Sequence, residues 1–129
     1  MRSVARETVF QYLFSKLFNQ QDEGLFAVLV NKLNKDDKEF ATKLKDCVEE
    51  RTEKYFSDME RLIVNYKVSR VFNPDKCAII IGMAELDNFA ETPKIVIIDE
   101  AVKLAAKFST EKSVDFVNGV LAEYAKDRQ

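Results

Sequence analysis

The sequence predicts an all-α protein, a compact bundle of about seven helices, and three observations carry that prediction. Apolar residues recur at three- and four-residue intervals through almost the whole chain, the period of helices with one buried face. Asn73-Pro74 and Thr92-Pro93 are helix-start signals, because proline in the first turn forfeits no hydrogen bond. A chain of 129 residues with 47% hydrophobic and 33% charged residues, three Gly and two Pro is neither collagen-like, low-complexity nor disordered, and it is long enough to bury a real core.

The first helix covers Ser3 to Phe18, where Val9, Leu13 and Leu17 form one row and Phe10, Phe14 and Phe18 another, giving a wide apolar face. A second, capped by Asp22, aligns Phe26, Leu29, Val30 and Leu33 before Asn34-Lys35-Asp36 breaks the period. The third opens at Asp36 or Asp37, turns Phe40, Leu44, Cys47 and Val48 inward, and reaches about Tyr55, with Lys45, Glu49, Glu53 and Lys54 on a solvated face. Ser57 and Glu60 fit a capping box that starts a short fourth helix with Leu62, Ile63 and Tyr66 inward. Asn73 caps the fifth, which runs to about Asp87. Its Ile79-Ile80-Ile81 run would suit a strand, but the surrounding Ala, Met, Glu and Leu favour a buried helix.

The sixth helix covers Ile95 to Phe108, with Ile98, Val102, Ala105 and Ala106 near one side. The seventh covers Val114 to Ala125, with Val117, Val120, Leu121 and Tyr124 inward. Gly119 inside it costs about 1 kcal/mol relative to alanine, so close packing against another helix is expected there. With no internal repeat and no linker longer than about five residues, residues 1–129 read as one domain, undivided or made of two helical subdomains joined near Val68–Phe72.

Composition narrows the function. The chain has no His, which removes the usual general base and the commonest metal ligand. Cys47 and Cys77 form no paired-cysteine motif and read as reduced core residues. Asp99 and Glu100 are adjacent on a helix and so point about 100° apart, which assigns them no catalytic or metal role. Neither a membrane span nor a secretory signal is expected, which predicts a cytoplasmic protein. The net charge is −2, yet the first twenty residues are net positive, with Arg2, Arg6 and Lys16 against Glu7, and residues 103–129 are also net positive. Nucleic-acid contact would therefore need a local patch drawn from the two ends.

Arg2 and Arg6 lie one helical turn apart, so both guanidinium groups can face one phosphate backbone; in the alternative, Arg6 pairs with a nearby carboxylate on a solvated helix start. Lys112 and Ser113 stand at the start of the seventh helix, where free amides suit an anion, and Ser113 equally suits a simple cap. Phe116 can stack on an unpaired base or fill the core.

The string from Thr92 to Ala105, TPKIVIIDEAVKLA, followed by Phe116 to Leu121, FVNGVL, resembles the NusB family of transcription antitermination proteins. Ala5-Arg6-Glu7 with Gln11 and Leu13 is similar to that family's first helix, and Asn65 to Arg70, Asp75-Lys76 and Glu85-Leu86 to its middle. The resemblance implies a seven-helix fold, a bacterial source and a non-catalytic adaptor without cofactor or metal. Such an adaptor holds boxA-type RNA with NusE, a small-subunit ribosomal protein, in the RNA polymerase antitermination complex during ribosomal RNA transcription. It implies RNA contacts at Arg2, Ser3, Arg6, Lys112, Ser113 and Phe116. Arg2, Arg6 and Lys112 would form one patch beside Phe116. Asp75 falls on the partner-binding side, where an acid suits a basic ribosomal protein, and Phe14 borders that face or fills the core. The Asp99-Glu100 pair would anchor its helix in the fold. Where many members carry a basic run ahead of Ala5-Arg6-Glu7, this chain has Arg2, Ser3 and Val4. A protein-only adaptor of the same fold, without RNA binding, is the alternative reading, and a homodimer is a further state the sequence leaves open.

Overall fold

A computed structural model describes residues 2–18, 24–63, 67–126 and 128. Among them run seven α-helices, α1 (Arg2–Phe18), α2 (Leu25–Val30), α3 (Lys35–Glu50), α4 (Thr52–Leu62), α5 (Asn73–Asn88), α6 (Lys94–Phe108) and α7 (Glu111–Ala125), with a single 3₁₀ turn at Val68–Arg70. No strand occurs among the described residues, and both isoleucine-rich runs are helical. The expected Asp22 cap and the inward Tyr66 lie outside the described residues.

Helix α5 is the centre of the bundle because it has almost no polar side to show water. Every residue from Cys77 to Glu85 is buried, and α1, α3, α4, α6 and α7 all pack on it. The tightest approach is at Gly82. A Cβ there would stand 2.6 Å from Leu121 Cδ1 and 3.2 Å from Ala101 Cβ, so a larger residue would push α6 and α7 outward. Gly119, expected to play this part, has nothing within 4 Å of its Cβ position and lies exposed. At about 100° per residue, the buried stripe of Val117, Val120, Leu121 and Tyr124 turns position 119 to solvent.

Helix α1 turns the predicted face inward, fully at Val9, Phe10 and Leu13 and partly at Phe14, Leu17 and Phe18, and its phenylalanines follow one another in a ladder. Phe108 and Phe10 lie 4.5 Å apart and nearly parallel, Phe10 and Phe14 5.9 Å apart, and Phe14 and Phe18 5.5 Å apart. Each such pair adds about 0.5–1.5 kcal/mol to the area it buries.

Several boundaries differ from the sequence reading: α2 ends at Val30, before Leu33, α6 opens at Lys94 with Pro93 and not Thr92 as its N-cap residue, and α7 opens at Glu111, three residues before the expected Val114. Asn34 caps α3: its Oδ1 accepts from the Asp37 amide at 2.8 Å, so Asp36 and Asp37, the expected opening residues, are its second and third residues. Helix α3 stops at Glu50, and α4 already runs from Thr52, which leaves Ser57 and Glu60 in mid-helix with no capping box between them. Val48, Tyr55 and Met59 keep the apolar period across this break, so the sequence carries no sign of it. The turn at Arg51 swings the chain from α1 and α5, on which α3 packs, to α5 and α7, on which α4 packs.

Candidate functional site

A cleft of about 700 Å³ opens between the start of α5 and the start of α7, lined by Arg70, Phe72, Asp75, Thr110, Glu111, Lys112, Ser113 and Phe116. Its α7 wall is built by a capping box. The Thr110 amide donates to Ser113 Oγ at 3.3 Å, and the Ser113 hydroxyl also meets the hydroxyls of Thr110 and Ser109 at 3.0 Å. Ser113 is thereby buried and occupied as the capping partner, the structural one of its two expected roles. Lys112 stays exposed in the first turn, where a cation opposes the helix dipole by about 0.3–1 kcal/mol unless an anion joins it. One turn on, half-buried Phe116 packs partly on the core and partly lines the cleft.

The α5 wall has two anomalies. Asp75 is 6% exposed, yet its Oδ1 accepts no hydrogen bond, and leaving a buried acceptor unmatched costs about 1–3 kcal/mol. Phe72, not Asn73, is the N-cap residue of α5, in an extended conformation with its carbonyl accepting from the Lys76 amide at 3.1 Å. This places Asn73 inside the helix and leaves Phe72 61% exposed.

The other expected site residues lie elsewhere. Arg6 is only 3% exposed. Its Nε donates to Glu85 Oε1 at 2.8 Å and its Nη1 to Glu100 Oε1 at 3.0 Å. The expected phosphate face shared by Arg2 and Arg6 is therefore not formed, because two buried carboxylates take up the Arg6 guanidinium. Burial opposes that charge, but the hydrogen bonds and charges of Glu85 and Glu100 outweigh it and raise the Arg6 pKa. Burial likewise opposes the charge of Glu100, and hydrogen bonds from Ser3 and Lys103, with the Arg6 charge, overcome it and hold its carboxyl below the usual range. Ser3 donates to Glu100 Oε1. Glu100 thus ties α6 to α1, as the resemblance implied for the Asp99-Glu100 pair, while Asp99 stays at the surface beside Lys103.

Arg2 is exposed but donates to Thr92 Oγ1 at 3.3 Å, and its guanidinium carbon sits 4.5 Å from the Phe40 ring centre. Around it stand Asp36, Asp37, Glu39 and Glu91, with Lys43 the one further cation in that hollow. Thr92 precedes α6 and Lys112 follows it, so Arg2 and Lys112 are separated by a 15-residue helix, roughly 22 Å at 1.5 Å per residue. The single patch of Arg2, Arg6 and Lys112 does not exist. Phe14 belongs to the aromatic ladder of α1, apart from the cleft. Asp75, Lys112, Ser113 and Phe116 do come together. Sequence reasoning missed Arg70 and Phe72; the one signal was an aromatic residue placed just before a helix start.

The NusB family model matches residues 2–126. The transcription antitermination protein NusB of Methylacidiphilum infernorum is 31% identical over 131 residues, covering 98% of this chain and 91% of that protein. The NusB of Streptomyces griseus is 32% identical over 131 residues, covering 95% and 90%. The solved structure of T. maritima NusB superposes with a TM-score of 0.90 at 27% identity, covering 99% of this chain and 92% of that one. A solved complex of antitermination factors NusB and NusE with double-stranded RNA matches with a TM-score of 0.83 at 30% identity, covering 98% and 96%. No described helix is long and apolar enough to cross a membrane.

Proposed function

The chain belongs to the NusB family of transcription antitermination proteins, and from that premise we propose that it binds boxA-type RNA jointly with NusE, as an adaptor with no catalytic step. The observation that carries this reading is Lys112 in the first turn of α7, set beside Phe116 in an open cleft. A phosphate placed there meets the lysine and the positive end of the helix, and removes the mismatch of a cation at that position. A neighbouring unstacked base then finds the Phe116 ring. On the other wall, the unmatched Asp75 carboxylate faces a partner that the family reading makes basic. The RNA contacts concentrate at Lys112 and Phe116, with Arg2 at a distant end and Arg6 withdrawn into the fold.

That withdrawal also gives the protein-only adaptor its one supporting observation, and a single experiment separates the two readings. BoxA-type RNA is titrated with this protein, with NusE and with their mixture over a range of salt. Tight binding only by the mixture is expected. In the mixture, Lys112→Ala should flatten the log–log salt slope by about 0.7, while Phe116→Ala should weaken binding by about 1–3 kcal/mol at unchanged slope. If NusE alone binds RNA as tightly as the mixture does, while the two proteins still associate, the protein-only reading replaces this one.

A further inference from the structure

We infer that the outward face of the α6–α7 pair is an interface between two copies of this chain, packed antiparallel about a two-fold axis; the inference goes beyond the adaptor function and does not depend on it. A second groove, of about 400 Å³, runs between α6 and α7, with Ile95, Ile98, Asn118, Ala122 and Lys126 in its lining. Phe116 and Asn118 leave α7 about 200° apart, so this groove and the cleft open on different sides of the helix. Ile95 stands on the groove 78% exposed, more than any other large apolar side chain among the described residues. Across the groove, Gly119 gives up helix propensity in mid-helix and meets nothing of its own chain. Both choices cost the isolated chain stability, and local conflicts of this kind collect where a surface serves binding.

The charges on this face choose the occupant. Asp115, Gly119, Ala122 and Lys126 follow one another at alternating four- and three-residue steps, so they share one outward line along α7, and all four are exposed. The line is acidic at one end, basic at the other and smooth between. Turning a second copy by half a revolution about the middle of that line sets Gly119 against Ala122 and Asp115 against Lys126, each pair occurring twice, as an isologous contact requires. The small residues let the two backbones approach, and opposite charges meet at both ends. A parallel arrangement would bring like charges together, which fixes the antiparallel sense. The same rotation carries Ile95, which shares its groove with Ala122 and Ala125, onto the stretch from Ile98 to Val102 of the second copy, where both residues are only partly covered by the core. Lys126 meets Glu123 at 2.9 Å across an exposed surface, a pairing weak enough to exchange. Asp99, near the axis, is balanced by Lys103 at 3.5 Å. From Asp115 to Lys126 the line is roughly 16 Å long, which puts the contact at the small end of specific interfaces and makes the dimer weak. The pairing leaves the Phe116 side of α7 uncovered, so the dimer carries two clefts.

The test is sedimentation equilibrium of the parent, of Ile95→Glu, Asp115→Lys and Lys126→Glu, and of the last two mixed, with thermal melting of each. The parent should dimerise with a Kd of about 0.1 mM that rises with salt. Because all three positions are exposed, the variants should melt close to the parent. Ile95→Glu should raise the Kd about tenfold or more. Either charge reversal alone sets like charges together at both ends of the contact and should weaken it similarly. Mixed in equal amounts, Asp115→Lys and Lys126→Glu bring lysine to glutamate at one end and lysine to aspartate at the other, so the mixture should regain the association of the parent. A folding defect in either variant cannot produce that recovery. A parent that stays monomeric at about 1 mM, an Ile95→Glu variant that dimerises like the parent, or a mixture that associates no better than its two components overturns the interface and leaves the adaptor function standing.

Discussion

Arg6 and Asp75 are both charged, both buried and both within the first turns of a helix, yet one has all its partners and the other lacks one. Arg6 is enclosed by Glu85, Glu100 and, 5.1 Å from its guanidinium carbon, the Phe40 ring. Asp75 is just as hidden, but one of its oxygens accepts nothing. The same contrast separates two of the three glycines. Gly82 is closed in by Leu121 and Ala101, while Gly119 faces open space. The knot of α1, α5 and α6 is matched by residues of this chain, whereas the cleft beside α7 leaves one Asp75 oxygen without a donor. A charge buried with its partners is evidence of structure, and a charge buried without one points to a ligand.

The largest effect should come from breaking the matched region. Arg6→Ala leaves the Glu85 and Glu100 carboxylates buried around a missing cation, and chemical denaturation should show a loss of about 3–5 kcal/mol. A variant as stable as the parent would put Arg6 back among the surface residues available to RNA.

The glycines give the next test, and their signs should differ. Gly82→Ala places a methyl group against Leu121 and Ala101 and should destabilise by about 1–3 kcal/mol. Gly119→Ala adds a methyl where nothing stands and removes the backbone freedom of a mid-helix glycine, so it should stabilise by up to about 1 kcal/mol. Equal shifts in melting temperature would erase the distinction between a closed and an open face.

The smallest effect should appear in the acid range. The folded-state pKa of Glu100 is depressed below its ordinary 4.5, so its stabilisation is fully present above that value and is lost as pH falls through the lower folded-state pKa. Glu49, paired with Lys16 and Lys45, and Asp58, paired with Lys54 and Arg61, shift in the same direction. Glu100→Gln should therefore flatten the fall of melting temperature below about pH 4.5 without abolishing it. An identical acid limb would remove Glu100 from the ionic network.

The sequence by itself determined the parts of this protein that depend on near neighbours. A helical hydrogen bond spans four residues and an apolar stripe repeats within seven, so the apolar face of α1, the buried α5 and the helical state of both isoleucine runs were readable from short windows. The Arg6 carboxylates were not, because Glu85 and Glu100 lie 79 and 94 positions along the chain and no local pattern announces them. Only the tertiary structure decided that Gly82 is crowded, because that depends on Leu121 of α7 and Ala101 of α6 being brought against α5; the outward side of Gly119 already follows from the apolar stripe of α7. It likewise decided that α3 and α4 part at Arg51 while the apolar period runs on, and that Phe72 takes the cap beside Asn73. Local chemistry sets what each segment forms; whether a charge meets a carboxylate, water or an empty cleft is set by residues brought to it from far along the chain, where the direct attraction between unfolded segments is too weak and screened to leave a signal.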